Sequence, residues 1–208
     1  MGKQRKKEKR PRRTTLTDQI HISQIRPIRL SAANEARQHA RDYPILGCWL
    51  HTGWQESGIT PVIIARKQTD EKVLYGVCMV DLYCLGVKDA IAREDISLKA
   101  FLRDLPKLCS GEPLECSVEL AHEIVHGAIE FAARYGFQPH PDFSRLHVDQ
   151  IFDPPEAHPR THQVEFGKDG KPLYIAGPYD DERKVHEVLN KLRRNAGEGN
   201  YDYIVPIG

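Results

Sequence analysis

Apolar residues recur at helical spacing between Ser117 and Gly136. When each residue is turned about 100° from the last, seven apolar side chains fall in one stripe. They are Val118, Ala121, Ile124, Val125, Ala128, Ala132 and Tyr135. Ser117 can cap the start of this segment and Gly136 its end. The pattern predicts one amphipathic helix, around which the rest of the chain is interpreted.

Shorter apolar patterns predict the elements around this helix. Helices are predicted over 31–42, 94–108 and 180–192, and strands over 45–50, 61–66, 73–87 and 201–207. The Asp169–Gly170 dipeptide predicts a hairpin between 164–167 and 172–176, because it favours tight two-residue turns. The mixture predicts an α+β domain over 14–208, with a small, mainly antiparallel sheet packed by helices. A parallel arrangement of the strands remains an alternative.

One carboxylate interrupts the most apolar predicted strand. Asp81 lies within 73–87, a run apolar enough to be central and covered on both faces. An unpartnered buried charge is very costly, so a carboxylate there must be paired, hydrogen-bonded or raised in pKa. The sequence predicts that Asp81 is buried and paired by a cation or by several hydrogen-bond donors on a neighbouring element. A catalytic or ligand role is the alternative.

The central helix contains the sequence His-Glu-x-x-His. His122 and His126 are four residues apart, so both imidazoles project from the same helix face. In this motif the histidines bind zinc, and the intervening glutamate, here Glu123, takes a proton from the metal-bound water. A third ligand is needed, and His140 lies in the Pro-His-Pro-Asp-Phe segment just after the helix. Other potential ligands are His147, His158, His162 and Glu156.

The stretch from His122 to Phe143 resembles the SprT-like zinc metallopeptidases, the family that includes Spartan. In that family the His-Glu-x-x-His motif is followed, after a short helix end, by a third histidine. The resemblance covers only this stretch, and it implies zinc bound by His122, His126 and His140, with Glu123 as the general base. The predicted function is zinc-dependent hydrolysis of a peptide or protein substrate.

A structural interpretation competes with the zinc site. The chain contains ten histidines, so chance pairs at this spacing are common. His122 and His126 lie at the edge of the apolar stripe, where an ordinary histidine buries its ring and exposes its polar tip. Glu119, Glu123 and Glu130 would then form the solvated face. On this interpretation the protein is not an enzyme and binds a nucleic acid or another partner.

The net charge of +1 conceals a basic N-terminal segment. Residues 1–13 contain eight basic residues and one acidic residue, a charge of +7, so the remainder carries −6. The basic residues are Lys3, Arg5, Lys6, Lys7, Lys9, Arg10, Arg12 and Arg13. Without apolar residues beyond Met1 this segment cannot form a core, and it is predicted to be a disordered arm. Such an arm can neutralise nucleic-acid phosphates. The alternatives are a solubilising tail or, in a nucleated cell, an import signal.

Two further features concern the compartment. No apolar run approaches the roughly 18 residues that cross a membrane, and the start is too charged for a secretory signal. The sequence therefore predicts a cytoplasmic protein without a membrane partner. Five cysteines, odd in number and without Cys-x-x-Cys spacing, are predicted to be reduced packing residues. They are Cys48, Cys78, Cys84, Cys109 and Cys116.

Overall fold

Strands and helices are interspersed along the chain in a computed structural model that describes residues 33–205. The basic segment 1–13 and the predicted helix start at Ser31 lie outside these residues. In chain order the elements are α1 (Ala33–Gln38), a 3-10 turn (Ala40–Asp42), β1 (Ile45–His51), α2 (Trp54–Ser57), β2 (Ile59–Lys67), β3 (Lys72–Asp81), β4 (Gly86–Ser97), α3 (Leu98–Leu108), β5 (Pro113–Cys116), α4 (Val118–Arg134), α5 (Asp142–Arg145), α6 (Val148–Ile151), β6 (Leu173–Ile175), α7 (Glu182–Asn195) and β7 (Asp202–Ile204).

Five strands form an antiparallel sheet in the order β4-β3-β2-β1-β5. The central strands β2 and β3 are buried along almost their whole length, because helices cover both faces of the sheet. A separate parallel pair joins β6 to β7. The predicted α+β class, with a mainly antiparallel sheet packed by helices, is confirmed.

The two faces of the sheet have different partners. One face packs against α4, α5 and α6 in a cluster that contains Ile124, Val125 and Phe143. The other packs against α3 through Phe101 and Leu105. A third cluster joins α7 to the β6–β7 pair. The central helix therefore lies on the sheet with its apolar stripe inward, which leaves its polar stripe for other segments.

The strand predicted over 73–87 is wrong, because the chain turns after Asp81. The Asp81 carboxylate accepts hydrogen bonds from the backbone N–H groups of Tyr83 (2.9 Å) and Cys84 (3.0 Å), which close this turn. Gly86 then begins β4 at φ +69°, and a Cβ there would lie 3.0 Å from the carbonyl oxygen of Ala128 in α4. The new strand continues to Ser97, so α3 begins four residues later than predicted.

The hairpin predicted around Asp169–Gly170 forms only as a turn. Lys168 and Lys171 exchange two backbone hydrogen bonds, and both turn residues have positive φ. The segment after the turn pairs with β7 instead of with 164–167. The reason is packing: the Phe166 ring lies against α4 at Gly127, where an added Cβ would come within 2.2 Å of it.

The remaining differences are at element ends. Asp181, rather than Asp180, caps α7 by accepting the N–H of Lys184 at 2.8 Å. The short helices α2, α5 and α6 and the strand β5 lie in segments for which the sequence pattern predicted no element. No helix within the described residues is long and apolar enough to cross a membrane. All five cysteines lie in this part of the chain, and none forms a disulfide there.

Candidate metal centre

The His-Glu-x-x-His motif lies on α4 as the periodicity predicts. The helix begins at Val118 because the Ser117 side chain accepts the N–H of Leu120 at 3.1 Å. The His122 and His126 rings lie one turn apart, with their centroids 4.2 Å from each other and their planes tilted by 48°. Both histidines are buried, at 2 % and 8 % exposure. The face of α4 that bears His122 and His126 is therefore closed to a substrate.

A segment from Phe152 to Phe166, which we call the strap, covers this face. His122 Nε2 lies 2.8 Å from the carbonyl oxygen of Pro154, and His126 Nε2 lies 3.2 Å from that of Asp153. A carbonyl oxygen only accepts hydrogen bonds, so both imidazoles donate through Nε2. A protonated ring nitrogen has no lone pair for a metal ion. The motif's two Nε2 atoms are thus used by the strap.

The acidic residues of the same helix face also bind the strap. Glu123, 5 % exposed, accepts the backbone N–H of His162 at 3.0 Å. Glu130 forms a two-bond ion pair with Arg160. The polar stripe of α4 therefore attaches one segment at four points.

The charge state of His126 suits this attachment. Its burial, followed by the neighbouring His122 imidazole, lowers the pKa of His126 from 6.5 to about 4. At neutral pH the ring is therefore uncharged, which is the form that donates one hydrogen bond without placing a cation under the strap.

A buried cation fixes the beginning of the strap. Arg66, 3 % exposed, donates to Asp153 Oδ1 at 2.5 Å, to the Ile151 carbonyl oxygen at 2.7 Å and to that of Tyr43 at 2.9 Å. The second oxygen of Asp153 lies 2.8 Å from His158 Nε2. Burial raises the pKa of Asp153, but the hydrogen bonds from His158 and Arg66 outweigh it and lower the pKa overall.

Two of the alternative ligands lie beside the motif: His162 Nδ1 is 3.5 Å from Glu123 Oε2, and the His158 ring faces His122. The ring centroid of His158 is 4.9 Å from that of His122. The same residue uses Nε2 to bind Asp153. Three imidazoles therefore meet under the strap, but their hydrogen bonds go to oxygen atoms of the chain.

His140 lies elsewhere, so the predicted set of His122, His126 and His140 is not assembled. The backbone N–H of His140 donates to the Val87 carbonyl oxygen of β4 at 2.8 Å. Phe143, 6 % exposed, anchors the next residues in the core. These contacts carry the chain to the sheet edge after α4 ends, instead of back along the helix. The general-base role of Glu123 stays a prediction.

His140 instead joins Asp89 and Asp142. Its Nδ1 lies 4.0 Å from Asp89 Oδ1 and 4.0 Å from Asp142 Oδ2. Within residues 33–205 this is the only group of three or more His, Cys, Asp or Glu residues with ligand atoms all within 4.8 Å of one another. The three side chains are 41 %, 26 % and 21 % exposed, in the order His140, Asp89, Asp142. Solvent reaches this cluster, in contrast to the motif on α4.

The ligand atoms of the cluster lie farther apart than those around a bound zinc ion, with 4.0 Å between His140 and each carboxylate and at most 4.8 Å between any two. Two ligands on a tetrahedral zinc with bonds of about 2.1 Å are about 3.4 Å apart, so each carboxylate would close by roughly 0.6 Å. His140 Nδ1 accepts only a long 3.3 Å bond from the Asp142 N–H. Arg145 donates to Asp142 Oδ1 at 2.7 Å, which orients that carboxylate and leaves Oδ2 toward His140.

Asp81 has a structural position. It is 7 % exposed, and its donors belong to the turn that follows it rather than to a neighbouring element. Burial raises the pKa of Asp81, while the charge of Lys88 and the backbone hydrogen bonds partly offset that rise. The carboxylate therefore closes the β3–β4 turn.

Sequence reasoning missed Asp89 and Asp142 as functional candidates. Asp142 had a local signal, since it stands two residues after His140 in the same loop. Asp89 had none, because it reaches His140 only through the position of β4. The basic residues from Lys3 to Arg13 lie outside the described residues. Comparison of the chain with family models, curated proteins and solved structures finds no match.

Proposed function

We propose that the protein is a zinc-dependent hydrolase whose metal ion is held by Asp89, His140 and Asp142. The observation that carries the proposal is the approach of one imidazole nitrogen and two carboxylate oxygens within 4.8 Å, in side chains that solvent reaches. One imidazole with two carboxylates is a donor set that suits zinc and also manganese. His140 keeps the ligand role predicted for it, with different partners.

Asp89, His140 and Asp142 would hold the metal ion, which would lower the pKa of a bound water and polarise a carbonyl group. The residues of the chain have separate tasks around it. Arg145 holds the Asp142 carboxylate in place, and the Val87 carbonyl oxygen fixes the backbone of His140. Lysine or histidine at position 145 would orient the carboxylate less well, because a guanidinium offers a planar fork.

A peptide is the substrate class that we propose. Asp89 lies on β4, and within the described chain β4 pairs with one strand only, β3. An edge strand presents backbone N–H and C=O groups to which an extended peptide can add. Beside Asp89 two of these groups are already bonded, because the Val87 carbonyl oxygen accepts the N–H of His140 and the Ala90 N–H donates to Asp89 Oδ1 at 2.8 Å. The peptide would therefore add along 91–97, with one end toward the Asp89 carboxylate.

The test compares zinc binding by variants of the two histidine regions, using protein purified without a histidine tag. Isothermal titration with zinc should give one site in wild type and in His126→Ala, and no measurable binding in His140→Ala. His186→Ala, at an exposed position on α7, is the matched control. Zinc binding that is lost in His126→Ala and kept in His140→Ala would place the metal on the motif and overturn this assignment.

Hydrolysis of a fluorogenic peptide mixture gives the second readout. His140→Ala and Asp89→Asn should abolish zinc-dependent cleavage, whereas Glu123→Gln should leave it unchanged. If Glu123→Gln abolishes cleavage but keeps zinc, Glu123 is the general base of a motif-centred peptidase. Wild type that binds zinc but cleaves nothing would reduce the proposal to metal binding.

Nucleic-acid binding by the arm is a second proposal, supported by the +7 charge of residues 1–13. Each neutralised phosphate releases counterions, so affinity should fall steeply with salt. Deletion of residues 1–13 should remove the salt-sensitive binding to duplex DNA or single-stranded RNA. Equal binding by the truncated protein would leave the arm a solubilising tail. A cytoplasmic location also stays a proposal, and the five unpaired thiols support it.

A further inference from the structure

Two cysteines face each other across the edge of the five-stranded sheet. Cys48 on β1 is the register partner of Cys116 on β5, and the two strands are antiparallel. Directly opposed residues in such a pair place their side chains on the same face. Cys48 is fully buried in the core cluster beneath α4, and Cys116 packs against the same cluster while remaining half-buried.

The backbone positions allow a covalent bond between them. Paired residues in an antiparallel ladder have Cα atoms about 4.5–5.5 Å apart. Disulfides span Cα distances of about 4.4–6.8 Å. Burial and, after it, the neighbouring Cys116 raise the pKa of Cys48, which agrees with the closeness of the two thiols.

We infer that Cys48 and Cys116 are a disulfide-forming modification site, oxidised by a low-molecular-weight disulfide such as oxidised glutathione. Both thiols are reduced in the structure. The half-buried Cys116 is the thiol that a small disulfide reaches first, and the buried Cys48 is the resolving thiol.

The reaction balances as two exchange steps. The Cys116 thiol loses its proton and attacks one sulfur of oxidised glutathione, whose S–S bond breaks to release one glutathione thiol. The Cys48 thiolate then attacks the Cys116 sulfur of the mixed disulfide and releases the second glutathione. Two protein thiols are oxidised to one disulfide, and one small disulfide is reduced to two thiols.

The rate should depend on pH. Burial, followed by Cys109 and Glu115, raises the pKa of Cys116 to about 12. Only the thiolate attacks, so oxidation should be slow at neutral pH and faster as the pH rises. A slow reaction is compatible with a bond that forms under sustained oxidation.

The consequence for the fold concerns a short edge strand. β5 has four residues and leads directly into Ser117, the cap of α4. A bond at Cys116 would fasten β5 to β1 immediately before the central helix starts. It would also close a long loop between strands that are far apart in sequence, which stabilises the fold relative to the unfolded chain.

Cys109 provides an internal competitor. It lies at the end of α3, fully buried in the cluster on the other sheet face, and it contributes to the raised pKa of Cys116. The proposal requires that Cys48, rather than Cys109, resolves the mixed disulfide. Cys109→Ser should therefore keep the reaction, and Cys48→Ala should stop it at the mixed disulfide.

The experiment treats the native full-length chain with oxidised glutathione at mildly alkaline pH, then blocks remaining thiols and maps the peptides without reduction. Trypsin leaves Cys109 and Cys116 on one peptide, so a glutamate-specific protease that cuts after Glu115 is added to separate them. The expected product links the Cys48 peptide to the Cys116 peptide. The melting temperature should rise on the order of 10 °C and return after dithiothreitol treatment.

Two results would overturn the inference. One is a Cys109–Cys116 bond with Cys48 still open to alkylation after unfolding. The other is native protein that shows no linked Cys48 and Cys116 peptides after prolonged oxidation. The peptide map of wild type decides the question even where a cysteine variant fails to fold.

Discussion

The two histidine-bearing regions differ in what their nitrogen atoms contact. On α4, His122 and His126 are buried and donate to strap carbonyl oxygens at 2.8 and 3.2 Å. At the sheet edge, His140 is 41 % exposed and faces two carboxylates at 4.0 Å. The region with the recognisable motif is closed and satisfied, and the region without one has ligand atoms that solvent and a cation can reach.

This contrast shows that the spacing of two histidines on a helix does not decide whether their ring nitrogens are available to a metal ion. Four-residue spacing places two imidazoles on one helix face whatever else the chain does. Whether their nitrogens remain available depends on segments that are remote in sequence. Here the motif residues fasten a strap, a use that needs the same side-chain geometry as a metal site.

The largest expected effect comes from removing the cation beneath the strap. Arg66→Ala should lower the free energy of unfolding by about 3–5 kcal/mol, because it leaves the Asp153 carboxylate without its buried partner. Arg145→Ala is the matched change in the other region. Arg145 is 71 % exposed, so its loss should cost less than about 1 kcal/mol. Urea unfolding of both variants measures the difference.

Equal losses in the two arginine variants would contradict this comparison. They would mean that the strap is no more tightly integrated than the exposed cluster. A stable Arg66→Ala with an unchanged unfolding midpoint would show that the strap attaches without its buried ion pair.

The pH dependence of the free energy of unfolding should reflect the titration of His126. The unfolded chain takes up a proton at this residue near pH 6.5, whereas the folded ring stays neutral until about pH 4. Protons therefore bind the unfolded state preferentially between these values, and stability falls as the pH drops through this window. The loss should reach roughly 3 kcal/mol and then level off.

His126→Asn should flatten this part of the stability curve, measured by urea unfolding across the pH range. His140→Asn is the control and should keep the wild-type slope. A wild-type curve that is flat between pH 6.5 and 4 would mean that His126 titrates as an ordinary exposed histidine.

Local patterns were sufficient for α4 and for the sheet class. The apolar stripe and the Ser117 cap predict a helix that begins and ends within about one residue of Val118–Arg134. Its contacts with the strap have no local signal, because the bonded partners lie 27 to 39 residues apart. The motif therefore predicts correctly that the two histidines share one face of α4, but it does not predict the strap that covers this face.

The cluster around His140 was not predicted because the strand predicted over 73–87 ends at Asp81. Asp81 was predicted to lie inside a strand, yet its carboxylate closes a turn and sends β4 back along β3. Asp89 therefore sits on an edge strand that the sequence pattern did not predict beyond Val87. Register and strand order, which bring Asp89 to His140, come from pairing between distant residues.

Trypsin cleavage should detect release of the strap, and we expect an effect of intermediate size on the cleavage rate. Arg160 is the only Lys or Arg between Arg145 and Lys168. His126→Ala leaves the Asp153 carbonyl oxygen without its donor, which costs about 1–2 kcal/mol and should raise the opened population about 5- to 30-fold. Cleavage after Arg160, followed by mass spectrometry under native conditions, should accelerate accordingly. His140→Ala should cleave at the wild-type rate, and acceleration in both variants would mean global destabilisation.

The smallest effect belongs to the far end of the strap. Glu130 and Arg160 are 49 % and 39 % exposed, so solvent screens their attraction and the pair contributes at most about 1 kcal/mol. Glu130→Gln should therefore raise the cleavage rate after Arg160 by less than about fivefold, well below His126→Ala. At high salt, wild type and Glu130→Gln should be cleaved after Arg160 at similar rates, because screening weakens the same Glu130–Arg160 attraction that the substitution removes. A Glu130→Gln effect as large as that of His126→Ala would show that the ion pair, rather than the buried histidines, holds the strap closed.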